Sequence, residues 1–191
     1  MQAFDSLSRD IQQYIYDKGW PSLKNIQSAA IKQVANTDHN LILSAPTASG
    51  KTEAAFIPAL NSVEDWETGL KVLYVSPLKA LINDQFQRIS ELSEYLDIPI
   101  TRWHGEVSQT QKRKVVNQPK GILLITPESI EGMLVNRPGE AEHLFKGVEW
   151  IIIDELHSFL GTERGIHLQS LLQRISRFMQ APRFIAMSAT L

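Results

Sequence analysis

The sequence predicts an α/β protein with a mostly parallel central sheet and helices on both faces. Three observations carry this. Six short, branched apolar segments each close on a turn or polar cluster, amphipathic helical patterns lie between them, and 191 residues suit a single domain. Taken in order, Ile26, Ala29, Ala30 and Val34 recur at helical spacing, and Leu41–Ser44 follows as the first strand. Further strands are expected at Val72–Ser76, Ile100–Trp103, Ile122–Thr126, Trp150–Ile153 and Phe184–Met187. Leu78, Leu81, Ile82, Phe86 and Ile89 form one helical face, and Leu168, Leu171, Leu172, Ile175 and Phe178 another. Helices of this kind make the crossovers that parallel strands require. Pro58 should kink or shorten the helix after the first strand, because it removes a backbone donor. Asn136-Arg137-Pro138-Gly139-Glu140 reads as a turn, too short for a domain boundary.

Composition excludes more than it assigns. With no cysteine there is no disulfide framework, thiolate zinc site or cysteine nucleophile. The formal charge of −2, from 19 basic and 21 acidic residues, excludes a polycationic tail, so any nucleic-acid surface must be a local patch. Lys112-Arg113-Lys114 is most simply the solvated side of a helix. The first ten residues carry Asp5 and no apolar core, unlike a secretory signal. Trp150–Ile153 and Ile122–Ile125 are the longest apolar runs and fall far short of the roughly 20 residues that span a bilayer. A cytoplasmic protein without a membrane partner is expected.

The first strand runs into Ala45-Pro46-Thr47-Ala48-Ser49-Gly50-Lys51-Thr52, which nearly fits the P-loop pattern, with Ala45 where the first glycine is usual. The chemistry is specific. Loop amides and the following helix N-terminus can face phosphate oxygens, Lys51 adds a point charge, and the Thr52 hydroxyl can ligate Mg²⁺. Gly50 lets the backbone approach closely. A second buried strand, Trp150–Ile153, delivers Asp154 and Glu155. Asp154 suits a Mg²⁺ shell and Glu155 can polarise an attacking water. In an open parallel sheet such groups meet beyond the carboxyl ends of the strands.

These residues resemble the DExH-type helicases of superfamily 2, and the Lhr-type branch in particular. Residues 45–52 are similar to helicase motif I, Asp154–His157 to motif II and Ser188-Ala189-Thr190 to motif III. Ser76-Pro77-Leu78-Lys79-Ala80-Leu81 resembles motif Ia, and Thr126-Pro127-Glu128-Ser129 motif Ib. Gln27 resembles the adenine-reading glutamine of the Q-motif, within a helical lead-in over about residues 1–38. The subtype rests on Trp103-His104-Gly105 and Glu163–Leu168.

The resemblance implies that residues 1–191 form one N-terminal RecA-like domain of a helicase or translocase that binds ATP, Mg²⁺ and DNA or RNA. Lys51, Asp154 and Glu155 would serve catalysis. Gln27, Pro46, Thr47, Ala48, Ser49, Gly50, Lys51 and Thr52 would bind nucleotide, with Thr52 and Asp154 on the metal. His157, Ser188 and Thr190 would couple phosphate state to the track, Ser188 and Thr190 sitting beside His157 on a strand between the other two. Pro77, Lys79, His104, Gly105, Thr126, Pro127 and Glu128 would face nucleic acid. Lys79 in a helix's first turn opposes the helix dipole, which favours a functional reason for it. A second RecA-like domain, not encoded here, would complete the motor, and this chain alone would show little ATPase and no unwinding. A double-strand translocase subunit and a nucleotide-gated binding module without hydrolysis are the alternatives. Ala48 departs from the family's usual glycine. Its methyl makes a left-handed backbone costly, and nucleotide binding is expected with that position right-handed.

Overall fold

A computed structural model gives the structure of residues 2–190. Six parallel strands form one sheet in the order β1-β6-β5-β2-β4-β3: β1 Leu41–Ser44, β2 Gly69–Val75, β3 Ile100–Trp103, β4 Lys120–Ile125, β5 Trp150–Ile153 and β6 Arg183–Ser188. Helices α1 Arg9–Asp17, α2 Asn25–Asn36, α3 Lys51–Ser62 and α4 Lys79–Tyr95 cover one face. The other carries α5 Gln109–Asn117, α6 Pro127–Asn136, α7 Pro138–Phe145 and α8 Glu163–Ser176. No helix among the described residues is long and apolar enough to cross a membrane.

The period-two geometry of a strand explains why the central strands are apolar throughout. Val72, Tyr74, Ile122, Leu124 and Ile152 enter the core under α2, α3 and α4, while Leu73, Val75, Leu123, Ile125 and Ile151 enter the core under α6, α7 and α8. Each such side chain contributes about 1.5–3 kcal/mol of burial. Truncating one, as in Ile152→Ala, costs about 2–5 kcal/mol.

The lead-in is part of the same core, since Ile11, Tyr14, Ile15, Ile31 and Val34 join the cluster beneath α3. Polar ties fix it. Asn61 accepts from the Ser8 N–H at 2.7 Å and donates to the Ser6 carbonyl at 3.2 Å. Arg183 lies over the Trp150 ring at 4.4 Å and donates to the Val34 and Thr37 carbonyls at 3.3 and 2.6 Å. A cation at a helix C-terminus satisfies orphan carbonyls and complements the dipole.

Sequence and structure differ at five places. β2, β4 and β6 begin earlier than their apolar runs, because Gly69, Lys120 and Arg183 pair in the ladders. Pro58 does not end α3, which continues to Ser62. The expected turn at 136–140 is reduced to Arg137: Pro138 opens α7 at its first position, where no amide partner is needed, and Ala141, Leu144 and Phe145 bury its apolar face. Ala29 is exposed, and Ile31 takes its place in the core. In α5, Arg113 and Lys114 are solvated as expected, whereas Lys112 leans over the Trp103 ring at 5.7 Å.

Candidate functional site

All six strands end on a segment singled out in the sequence, so the strand order lays those segments out along one edge. From β1 outward come the P-loop, Ser188–Thr190, Asp154–His157, Ser76–Lys79, Thr126–Glu128 and His104-Gly105. The ladder continues past the strands at three points: Ala45 N–H donates to the Ser188 carbonyl (3.2 Å), Asp154 N–H to Val75 (2.9 Å) and Ser76 N–H to Ile125 (3.1 Å). The loop bases are therefore held at fixed spacing.

In the P-loop, Lys51 donates to the Ala45 and Pro46 carbonyls, the second at 2.8 Å. Pro46 and Thr47 are exposed, and Ser49 turns its N–H to Pro46 at 3.4 Å. Ala48 corrects the expectation of a right-handed residue: its φ is +60°, left-handed despite the methyl. The Lys24 ammonium donates to its carbonyl at 3.2 Å and helps to hold it there. Gly50 has φ +89°, and a Cβ on it would meet Gln27 Nε2 at 2.8 Å and Lys24 Cδ at 3.1 Å. Glycine is thus required by conformation and by the close approach of α2. Gln27 is 3% exposed, and its Oε1 accepts from the Lys24 N–H at 2.9 Å, closing half of a capping box. The Thr52 hydroxyl, in the first turn of α3, donates to Gln85 Oε1 of α4 at 3.2 Å.

Asp154 is buried and accepts from the Tyr74 hydroxyl through Oδ2 and from the Glu155 N–H through Oδ1 at 2.9 Å. Burial, with the Glu155 charge, pushes its carboxyl above the ordinary range, while Tyr74, the Glu155 N–H and Lys51 counteract this. Glu155 itself is left-handed, φ +49°. That turn aims its carboxylate at His157, whose Nε2 lies 3.2 Å from Oε2. The Ala189 N–H donates to His157 Nδ1 at 3.4 Å, which leaves the ring proton on Nε2 facing Glu155. Ser188 Oγ is 3.3 Å from the same Nδ1. Ser188 and Ala189 therefore meet the histidine, on a strand that does lie between β1 and β5. Thr190 is exposed, and its carbonyl accepts from the Ser188 hydroxyl.

The other half of the edge is tied by Arg164 of α8. Its Nη2 donates to the Pro77 carbonyl at 2.8 Å and to Glu128 Oε1 at 2.7 Å. Burial raises the Glu128 carboxyl, but its own N–H, Arg164 and Thr126 outweigh this and hold it below its ordinary value. Thr126 caps α6 by accepting from the Ser129 N–H at 3.3 Å, with Pro127 at the first helical position. Lys79 opens α4, is exposed and pairs with Glu106. His104 is 5% exposed with neither ring nitrogen hydrogen-bonded to any described residue, and Gly105 beside it is exposed.

The sequence and fold that carry this arrangement are similar to those of known proteins. The family described as DEAD/DEAH box helicase matches residues 24–191. The chain belongs to that family. ATP-dependent helicase Lhr-Core of Methanocaldococcus jannaschii is 30% identical over 208 residues, covering 100% of this chain and 24% of that protein. Lhr helicase/uracil glycosylase of Escherichia coli is 35% identical over 181 residues, 82% of this chain and 11% of that one. Among solved structures, Mycobacterium smegmatis helicase Lhr bound to ssDNA and AMP-PNP matches with a TM-score of 0.87 at 28% identity, covering 100% of this chain and 26% of that one. DUF1998 helicase MrfA bound to DNA and AMPPNP matches at 0.86 and 30% identity, covering 98% and 27%. This DEAD/DEAH box helicase chain thus spans between 11% and 27% of the length of these relatives.

Sequence reasoning passed over Lys24, Tyr74 and Gln85, and took Arg164 only as part of the subtype segment Glu163–Leu168, with no contact role. Tyr74 and Arg164 left a signal. Tyr74 puts a polar tip inside the apolar run Leu73–Val75, where a buried hydroxyl demands a partner. Arg164 is a cation in a helix's first turn, against the dipole.

Proposed function

We propose that this chain, residues 1–191, is the N-terminal RecA-like half of a nucleic-acid-dependent ATPase motor. It takes MgATP at the β1-β6-β5 end of the edge and a DNA or RNA backbone at the β2-β4-β3 end. The supporting observation is the single row of loops, in which the contacting Glu155, His157 and Ser188 lie between the P-loop and the loops Ser76–Lys79 and Thr126–Glu128.

In this reading the loop amides, Lys51 and Gln27 bind the nucleotide, and Lys51 exchanges the Ala45 and Pro46 carbonyls for phosphate oxygens. Thr52 and Asp154 offer a hydroxyl and a carboxylate, hard oxygen donors that fit Mg²⁺. Among the described residues no group of three or more acidic or histidine side chains forms a cage, so phosphates and water supply the remaining ligands. Bound there, Mg²⁺ would neutralise charge on the phosphates. Glu155 accepts a proton from the attacking water, and the His157 Nε2–H keeps its carboxylate oriented. Lys79 and the capped N-terminus of α6 at Thr126-Pro127 supply the backbone contacts, which carry little base information.

The relatives extend well beyond the matched span, and we place the second RecA-like domain in the corresponding remainder of a longer protein. Titration calorimetry with a non-hydrolysable ATP analogue and Mg²⁺ tests the nucleotide half. The 191-residue chain should bind and Lys51→Ala should lose at least tenfold in affinity. Equal binding by both would remove the P-loop from its assigned role. In the longer protein, Glu155→Gln should bind ATP without hydrolysing it.

A further inference from the structure

Tyr74 is the penultimate residue of β2 and is 0% exposed. In the ladder it stands beside Ile152 of β5, and Asp154 is two residues further along that strand, on the same face. The ring therefore runs from the core toward the strand end and brings its hydroxyl to Asp154 Oδ2. A valine or leucine here would fill the core but could not reach. The ring also stacks on Phe56 with centroids 5.6 Å apart and 29° between planes. Phe56 is one helical turn beyond Thr52, on the same side of α3. One side chain thus touches Asp154 itself and the residue one turn beyond Thr52 on α3.

We propose that Tyr74 is a positioning residue for the metal site, its hydroxyl fixing the Asp154 carboxylate for Mg²⁺ bound with ATP. This rests on the MgATP reading given above. The buried hydroxyl has a donor to place, and it donates to the carboxylate. With Oδ1 held by the Glu155 N–H and Oδ2 by Tyr74, the carboxylate cannot rotate, and each oxygen keeps a lone pair for the metal shell. Partners that hydrogen-bond a metal ligand are typically worth about 10–100-fold in metal affinity.

The test is Tyr74→Phe, which keeps the ring and deletes the hydroxyl. Mn²⁺ uptake by the 191-residue chain with saturating ATP analogue is followed by electron paramagnetic resonance, and nucleotide binding in EDTA by a fluorescent analogue. Tyr74→Phe should weaken Mn²⁺ uptake about tenfold or more, with metal-free nucleotide affinity within about twofold of the parent. In an Asp154→Ala background the same substitution should have no further effect on Mn²⁺. Unchanged Mn²⁺ affinity overturns the proposal, as does an effect that persists without Asp154. A Tyr74→Phe chain that does not fold also overturns it, because the hydroxyl would then be a structural tie. If the parent chain with nucleotide holds Mn²⁺ no better than the nucleotide alone, the MgATP reading itself fails.

Discussion

Two helical glycines should respond to the same substitution with opposite sign. Gly165 is the third residue of α8, and a Cβ built on it would stand 2.0 Å from the Phe159 carbonyl oxygen and 2.9 Å from its carbon. Both atoms are backbone, so no rotamer change relieves the clash. Reaching ordinary contact at 3.4 Å requires the start of α8 and the 159–162 loop to part by about 1.4 Å. Phe159 O also accepts from the Thr162 N–H (3.3 Å) and hydroxyl (2.9 Å), and that hydroxyl caps α8 by accepting from the Gly165 N–H at 3.1 Å. Gly165→Ala gains about 1 kcal/mol of helix propensity. Against this stand about 1 kcal/mol for the disturbed cap and about 2 kcal/mol for the forced separation. The net loss is about 2 kcal/mol, a fall of roughly 4–8 °C in melting temperature for a chain of this size. Gly132, inside α6, has no atom beyond its own helix backbone and chain neighbours within 4 Å of its would-be Cβ. Gly132→Ala should therefore keep the propensity gain, about 1 kcal/mol or a rise of roughly 2–4 °C. Urea and thermal unfolding of the two variants beside the parent measure both. Shifts of the same sign would refute the steric account of Gly165.

Arg164→Ala cuts the tie between Pro77 and Glu128 and should cost about 1 kcal/mol, because the guanidinium is only half buried. Arg164→Lys should recover only part of this loss, and full recovery in thermal melts would show that the forked geometry is irrelevant. His104 is held neutral by burial, with Arg102, Lys112 and Lys79 working in the same direction and Glu106 against it. Its folded value lies below the ordinary 6.5, so this contribution is present above that pH and lost as pH falls through the folded value. Melting temperature should drop between about pH 8 and about pH 5.5, less steeply in His104→Gln; equal slopes would exclude His104 as the source. Ala48→Gly relieves about 1–2 kcal/mol of left-handed strain and loses about 0.5–1 kcal/mol to the freer unfolded chain. It should stabilise slightly and leave ATP-analogue affinity within about threefold, since the loop already holds the geometry; a gain above tenfold would mean that the methyl obstructs the phosphates.

The strands and the segments of the proposed phosphate half were legible because their signals are local. Leu41–Ser44, Ile100–Trp103 and Trp150–Ile153 have the same limits in sequence and structure. Residues 45–52 and 154–157 each follow a strand directly, so their meeting at one edge needs only a parallel sheet. What was not legible depends on contacts between distant segments. Gln27 alone is a polar residue, and its burial against Gly50 follows only once α2 packs beside α3. Arg164 reaches Pro77 and Glu128 across separations of 87 and 36 residues. Helix α7 was hidden for a different reason: Pro138-Gly139 has the composition of a turn, but proline is also a favoured first residue of a helix.

The backbone explains why the phosphate half of the edge is the more tightly constrained. Ala48, Gly50 and Glu155 all have positive φ, whereas none of the residues 76–79, 104–105 or 126–128 does. For Ala48 and Glu155 that conformation costs about 1–2 kcal/mol each, and it persists because neighbouring contacts over-determine it. Lys24 fixes the Ala48 carbonyl, and the Ser158 N–H and hydroxyl both hold the Glu155 carbonyl at 2.8 Å. Had β5 continued extended through Glu155, its side chain would leave the row of loops, and His157 could not meet both Glu155 and Ser188. The left-handed turn brings those three together, so strain accepted on folding becomes geometry that the site need not acquire on binding. In the proposed reading the track half needs no such strain, because helix starts and exposed side chains adapt to a polymer backbone, while a γ-phosphate and its attacking water would leave no such tolerance.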